Sequence, residues 1–230
     1  METAAIQLKN LTKTFGKVVA NDKVSLEIRH GEILALLGEN GSGKTTLMNM
    51  IAGIYYPDHG TISVGGEEVV IRSPKDAFDH GIGMVHQHFK LVDIFTAAEN
   101  IVLGIKGKGK YDLKESIKRI KEITDKYGFE IDPNKKIHEM SVSEKQTVEI
   151  IKVLYRGADI LILDEPTASL DPIAEQEIFN QFDKLREGKT TIFVSHRLSS
   201  ATIATKIVVL EGGKLVEEGD HKELMAKKGK

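Results

Sequence analysis

The run Gly38-Glu39-Asn40-Gly41-Ser42-Gly43-Lys44-Thr45 has the spacing G-x-x-x-x-G-K-[ST], which suits the holding of a polyphosphate. Several negative charges must be gripped with no bulky side chain in the way. Glycines let backbone N–H groups close around them, and a helix starting at the end of the loop adds a favourable dipole. Lys44 is placed to neutralise β- and γ-phosphates, and Thr45 to hold Mg2+ through its hydroxyl. A second constellation is Ile160-Leu161-Ile162-Leu163-Asp164-Glu165, four apolar residues followed by two carboxylates. A buried strand that delivers acids at its C-terminal end puts them where α/β sheets bind ligands. There Asp164 would order Mg2+ and its waters, and Glu165 would polarise an attacking water as general base. Taken singly, each stretch has a plainer reading, a Gly-rich turn before a helix or a strand ending in solvated acids. Found together, each strengthens the chemical reading of the other.

These residues need strands to carry them and helices to back the strands. Short apolar runs alternate with amphipathic stretches along the chain, which is the α/β pattern. Ile33–Leu37, Ile160–Leu163, Thr190–Val194 and Ile207–Leu210 read as buried parallel strands. The first of them leads into the phosphate loop, and Thr45–Ile51 leads out as a helix ending at Gly53. Residues 5–9, 23–29 and 61–71 instead alternate apolar and polar around glycine turns such as Gly65-Gly66, which predicts an antiparallel sheet beside the parallel one. The stretch 88–156 reads as mostly helical. Leu113, Ile117, Ile120, Thr124 and Tyr127 share one helix face, and Asp112 followed by Glu115 is a capping-box arrangement. Gly107-Lys108-Gly109-Lys110 reads as a solvated turn, with a phosphate or lipid contact as the lesser reading. Asp171-Pro172 opens a further helix, with Ala174, Ile178, Phe182 and Leu185 on one face.

Composition narrows the class. The chain has 230 residues, 40% of them hydrophobic, enough for one large domain or two small ones with a real core. With 32 basic against 34 acidic side chains the net charge is −2, which excludes a strongly basic nucleic-acid binder and a disordered acidic tail. Zero cysteines exclude disulfide scaffolds, zinc–cysteine sites and thiol chemistry. No apolar run approaches the roughly 18–20 residues that span a bilayer, and Met1-Glu2-Thr3-Ala4-Ala5 lacks a signal-peptide pattern. A cytosolic-type globular protein is expected.

Over essentially its full length the chain resembles the ATP-binding cassette (ABC) ATPases of membrane transporters. The resemblance rests on the phosphate loop, on Asp164-Glu165-Pro166-Thr167 and on five further places. Phe15, within Thr12–Gly16, matches the adenine-stacking aromatic; on its own it reads equally as a core residue. Gln87, after Ile82–His86, matches the glutamine that senses Mg2+ and the γ-phosphate; flanked by His86 and His88, it also sits inside a two-histidine pattern with no third metal ligand apparent. Ser141–Gln146 occupies the signature position, Ser169-Leu170-Asp171 the loop that crosses to the partner subunit, and Ser195-His196 the switch histidine, though His196 alone reads as an ordinary strand-end residue.

The resemblance implies a P-loop NTPase of the ABC ATPase type: an α/β fold with a parallel core sheet, an antiparallel β subdomain and a helical subdomain. Residues 1–87 and 157–230 would form the catalytic core with the β subdomain, and 88–156 the helical signature subdomain. It implies ATP and Mg2+ as ligands and hydrolysis to ADP and phosphate. ATP would be held by Phe15, Gly38, Asn40, Gly41, Ser42, Gly43, Lys44, Thr45 and Thr46, and the metal by Thr45, Gln87 and Asp164. Glu165, Gln87 and His196 would be catalytic, and a facing cassette would supply Ser141, Ser143 and Asp171. The partners implied are that second cassette and transmembrane permease subunits docking around Phe89–Asn100, with the chain peripheral on the cytoplasmic face and no nucleic acid involved.

The match departs from the family in two ways. Where the family has Leu-Ser-Gly-Gly-Gln, this chain has Met140-Ser141-Val142-Ser143-Glu144, so both glycines are replaced. Similar signatures occur in sugar and nucleoside importers. The likeness also divides: residues 1–168 resemble the first cassette of that importer group, whereas Ser195–Ser200 and Gly213–Gly219 resemble exporter cassettes. The expectation is therefore a recombined, engineered chain joined near Glu165–Ala168, against a natural mosaic. Two further readings stand beside a transport ATPase: a chimeric domain that binds ATP with little turnover, and a soluble ABC-type ATPase outside transport.

Overall fold

Strands form where the chain can bury apolar side chains on a period of two, and two sheets result. The computed structural model of the chain describes residues 3–105, 112–166, 185, 188–195 and 203–226. Four strands make an antiparallel sheet in the order β2-β1-β4-β5, from β1 (Ala4–Phe15), β2 (Val18–Arg29), β4 (His59–Val64) and β5 (Glu67–Val69). The predicted single stretch 61–71 is thus a hairpin, split at Gly65-Gly66 where φ is 59° and 87°.

The second sheet has six strands in the order β10-β9-β3-β8-β7-β6. They are β3 (Ile33–Leu37), β6 (Ile82–Val85), β7 (Ile160–Asp164), β8 (Thr190–Val194), β9 (Lys206–Glu211) and β10 (Lys214–Gly219). All neighbours are parallel except β9 and β10. The four predicted parallel strands are all present. β6 and β10 are additional: β6 is only four residues long, and β10 alternates with half-buried positions at an edge.

β7 explains why its apolar run is unbroken. Ile160 and Ile162 face a core shared with α1 (Lys44–Ile51) and the antiparallel sheet, through Leu47, Met50, Ile6 and Leu8. Leu161 and Leu163 face the opposite core, which contains Ile101 of α3 (Ala97–Val102), Ile120 of α4 (Leu113–Tyr127) and Val148 and Ile151 of α5 (Val142–Tyr155). A strand covered on both faces has no polar side to show. A short helix, α2 (Pro74–Asp79), precedes β6, and α6 (His221–Ala226) follows β10. Gly83 in β6 lets α5 approach the sheet: a Cβ there would lie 2.1 Å from Val153 Cγ1.

The helix ends follow local rules. Asp112 caps α4, its carboxylate accepting from the N–H groups of Lys114 and Glu115, and Gly128 closes the helix at φ 66°. Of the predicted α4 face, Ile120, Thr124 and Tyr127 are buried, with Leu113 and Ile117 packed against the same core. Full capping boxes occur at Thr96–Glu99 and Ser141–Glu144. Both are spelled T/S-x-x-E in the sequence, yet only the Asp112 cap was expected. Gly107–Lys110 lies outside the described residues, as does the predicted helix from Pro172 apart from Leu185, which is fully buried in the core beside α3–α5.

Candidate functional site

Parallel strands gather their C-terminal ends at one edge, and the chemical residues sit on the loops leaving that edge. β3 runs into the phosphate loop, β6 into His86 and Gln87, β7 into Asp164 and Glu165, and β8 into Ser195. The register levels these loops: Leu36 pairs with Val194, and Val194 with Asp164. The ladder then continues past the strands, with Ser195 N–H donating to Leu36 O at 3.2 Å and Glu165 N–H to Val194 O at 3.0 Å.

The loop itself is held open by glycine backbone. Gly38, Gly41 and Gly43 have φ of 150°, 84° and 100°. Gly43 is the N-cap of α1, and a Cβ there would lie 2.2 Å from the Ala20 carbonyl oxygen. The buried Asn21 donates from Nδ2 to Gly43 O at 3.2 Å, and Gly213 N–H donates to Ser42 O at 3.0 Å, so β2 and the β9–β10 turn brace the loop from outside. A cavity of about 610 Å3 opens beside it, lined by Gly38–Ser42 and Val209–Gly212. Gly43→Ala combines a left-handed φ with a backbone clash. It should destabilise the fold by about 2 kcal/mol or more, read in urea unfolding, and abolish nucleotide binding.

The structure brings Lys44, Thr45, Gln87, Asp164 and Glu165 together at this edge. Lys44 is buried, and its Nζ donates to Gly38 O at 2.7 Å and Glu39 O at 2.9 Å. Burial pushes its ammonium pKa down, against the opposing pull of the Glu165 and Asp164 charges. Asp164 is buried too. Burial, and then the neighbouring Glu165 charge, hold its carboxyl above the usual range. Thr45 Oγ1 donates to Asp164 Oδ1 at 3.5 Å, and Gln87 Nε2 to Glu165 Oε2 at 3.4 Å. An anion beside Lys44 and a cation beside Asp164 would each favour the charged form that burial disfavours. Thr45 hydroxyl, Asp164 carboxylate and Gln87 amide are hard oxygen donors, too few to cage an ion alone, which is the donor set Mg2+ takes when phosphates and water complete its shell. The residues therefore fit that ion.

Glu165 has φ 47°, one of three non-glycine residues with positive φ among the described residues. That left-handed backbone costs about 1–2 kcal/mol for an ordinary side chain, and such strain clusters at functional sites. Here it turns the chain straight after β7, while its N–H keeps its bond to Val194.

Of the other predicted residues, Asn40 is exposed on the loop and Thr46 half-buried on the first turn of α1. Phe15 is no core residue. It is 44% exposed at the end of β1, stacked edge-on against Tyr55 with centroids 5.2 Å apart. Its position is pinned by Asp58, which accepts from Lys13 Nζ at 2.9 Å and from Thr14 N–H and Oγ1 at 2.7 Å; these bonds lower the Asp58 pKa to about 2. Nothing in the sequence had marked Asp58. Ser141 and Ser143 sit at the start of α5. Ser141 is exposed, its Oγ accepting from Glu144 N–H at 3.2 Å and its N–H donating to Glu144 Oε2 at 2.7 Å. Lys135 Nζ in turn meets both Glu144 oxygens at 2.7 and 2.9 Å, which lowers the Glu144 pKa and balances the acid at this helix start. His196, Ser169, Asp171 and Thr167 lie outside the described residues. His86 is half-buried, its pKa lowered by burial and then by Lys90, and His88 is exposed.

Comparison with known proteins agrees with this geometry. The ABC transporter family profile matches residues 21–168. The nucleoside import ATP-binding protein NupA of Lactococcus lactis subsp. cremoris is 49% identical over 216 residues, covering 92% of this chain and 43% of its own. The chain thus spans less than half the length of the curated relatives it matches. Among solved structures, the ADP conformation of the MJ1267 cassette superposes with a TM-score of 0.87 at 25% identity, covering 97% and 94% of the two chains. The dimeric post-hydrolysis MJ0796 cassette, bound to ADP and phosphate, gives 0.79 at 29% identity, covering 94% and 98%. The expected change of type at residue 168 gains no support, because a match to an importer ATPase over 92% of the chain runs well past that point. The chain belongs to the ABC transporter family, as an ATP-binding cassette with sugar and nucleoside importer ATPases among its relatives.

Proposed function

We propose that this cassette binds ATP and hydrolyses it to ADP and phosphate, paired face to face with a second cassette, to power a membrane importer of nucleosides or simple sugars. The observation that carries this reading is the meeting of Lys44, Thr45, Gln87, Asp164 and Glu165 at one end of the parallel sheet. Backbone N–H groups of the loop from Gly38 to Gly43 cradle the phosphates, Lys44 turns from the loop carbonyls to the β- and γ-oxygens, and Phe15 offers an exposed face to the adenine. When bound, Mg2+ supplies charge neutralisation at the phosphate oxygens; Thr45, Asp164 and Gln87 would hold it. Glu165 accepts a proton from the attacking water as the water oxygen bonds to Pγ and the bond to the ADP oxygen breaks. Gln87, within reach of the Glu165 carboxylate, orients that water.

The facing cassette contributes Ser141, Ser143 and Asp171, and His196 holds the γ-phosphate. Ser141 is already committed to its capping box, so the face it presents is the first turn of α5, with its N–H groups and the Ser143 hydroxyl. In place of the family's glycines this loop gains a capped, ion-paired helix start, which supports a formed signature surface. Residues 88–156 are read as the helical unit that carries this surface, and 1–87 with 157–230 as the catalytic unit. The membrane partner would dock around Phe89–Asn100; a groove of about 490 Å3 lined by residues such as Phe78, Met84, His86 and Lys90 adjoins that stretch at Lys90. No helix among the described residues is long and apolar enough to cross a membrane, so membrane subunits would have to be separate from them. All 230 residues are read as one importer-type cassette. The exporter-like wording of Ser195–Ser200 and Gly213–Gly219 is treated as variation within it.

The test is the ATPase rate per molecule against protein concentration, with Mg2+. A rate that rises with concentration supports a two-cassette ATP site. A flat background rate alongside measurable ATP binding would overturn the hydrolase reading and leave a binding module.

A further inference from the structure

A buried carboxylate that the proposed reaction does not use holds the loop that follows Gln87. Glu149, only 6% exposed, sits on α5 about two turns beyond Ser141. Its Oε1 accepts the N–H of Lys90, and Lys152, one turn further along, donates from Nζ to the carbonyl of the same Lys90 at 2.9 Å. Glu149 Oε2 and Lys152 Nζ are 3.7 Å apart. Both backbone polar groups of one loop residue are therefore captured by two side chains on one helix face. Two residues further on, Val92 is held in the same manner. Its N–H donates to Asn100 Oδ1 at 2.7 Å, and its carbonyl accepts from Asn100 Nδ2 at 3.1 Å, from a side chain with no exposed surface.

Loop backbone groups of this kind are ordinarily left to water. Burying a carboxylate to bind one costs desolvation free energy that a simple apolar contact would not. The position of the clamp gives it a use. Lys90 follows Gln87 by three residues, and Gln87 reaches Glu165. The clamping helix begins at Ser141. We propose that Glu149 and Lys152 are positioning residues: by gripping Lys90 they make the Gln87 segment travel with α5, so the helix that faces the second cassette also sets where Gln87 stands against Glu165. This rests on the roles given above to Gln87 and the start of α5.

The test is a double-mutant cycle in the full chain with Gln87→Ala, Glu149→Ala and the pair, alongside Glu149→Gln and Lys152→Met. Turnover at saturating Mg·ATP, ATP affinity, and hydrogen exchange across residues 86–92 are measured. Glu149→Ala should lower kcat on the order of ten- to a hundredfold, as expected for a misplaced catalytic group, with ATP affinity within about twofold of the parent. Added to Gln87→Ala it should cost little more, since both remove the same placement. Glu149→Gln keeps an acceptor for the Lys90 N–H and should restore most of the rate. Exchange across 88–92 should quicken in both Glu149→Ala and Lys152→Met.

Losses that add fully in the cycle, or exchange unchanged in both clamp variants, would overturn the proposal. If Glu149→Ala does not fold, the cycle between Lys152→Met and Gln87→Ala decides the same question. A parent chain without turnover would sink the hydrolase reading alone, because the exchange comparison needs no turnover.

Discussion

Replacing Glu165 with Gln is expected to slow ATP hydrolysis by about 100- to 10,000-fold, the usual worth of a positioned general base. The substitution keeps size and one oxygen, so Gln87 retains a partner at the 3.4 Å position. The backbone is untouched, and φ 47° is set by the turn after β7 and the bond to Val194, not by the carboxylate. ATP affinity should therefore hold while turnover fails. A nucleotide that binds and is not cleaved keeps the two cassettes closed, so an ATP-bound dimer should accumulate. Size-exclusion chromatography with ATP, run on parent and variant, reads this directly. Hydrolysis at the parent rate would remove Glu165 from the role of base and direct attention to Gln87 or a solvent base.

Lys44→Ala acts one step earlier. Lys44 is a buried ammonium whose pKa burial depresses, so its charged form gains most when a phosphate replaces the loop carbonyls as partner. Charge-assisted hydrogen bonds of this kind contribute about 2–3 kcal/mol, so ATP affinity should fall roughly 30- to 150-fold. AMP, which lacks the β- and γ-phosphates, should bind the two proteins with similar weakness. Equal ATP affinities in titration calorimetry would mean that the loop N–H groups alone carry the phosphate. Because the ammonium is buried against Glu165 and Asp164, its removal leaves two acids less balanced. The Asp164 pKa should rise further, which makes binding of a divalent cation weaker at mildly acid pH than in the parent.

Legibility in the sequence followed chain distance. The strands of the parallel sheet stood out because a strand covered on both faces is apolar throughout, as Ile160–Leu163 is. β6 escaped because four residues with a glycine carry little pattern, and β10 because edge strands need no core face. The Ser141–Glu144 capping box was spelled locally and could have been found from S-x-x-E alone. Phe15 could not be resolved as core or surface, because an aromatic at a strand end has no neighbours in sequence that reveal whether a second layer covers it.

By itself the sequence determined the chemistry available: a loop able to bind phosphate, a strand delivering Asp164 and Glu165, and the family that combines them. Such features are local, since a glycine spacing or an acid after an apolar run has its effect within a few residues. Only the tertiary structure decided which of these groups meet. Thr45 and Asp164 are 119 residues apart in the chain, and Gln87 and Glu165 are 78 apart. The first contact depends on β8 lying between β3 and β7, with Leu36, Val194 and Asp164 in register, and the second on β6 pairing with β7, where Val85 lies opposite Leu163. Strand order and register come from packing over the whole sheet, so no short stretch encodes them. The grip of Glu149 and Lys152 on Lys90 arises in the same way, from a helix and a loop that only the fold brings together.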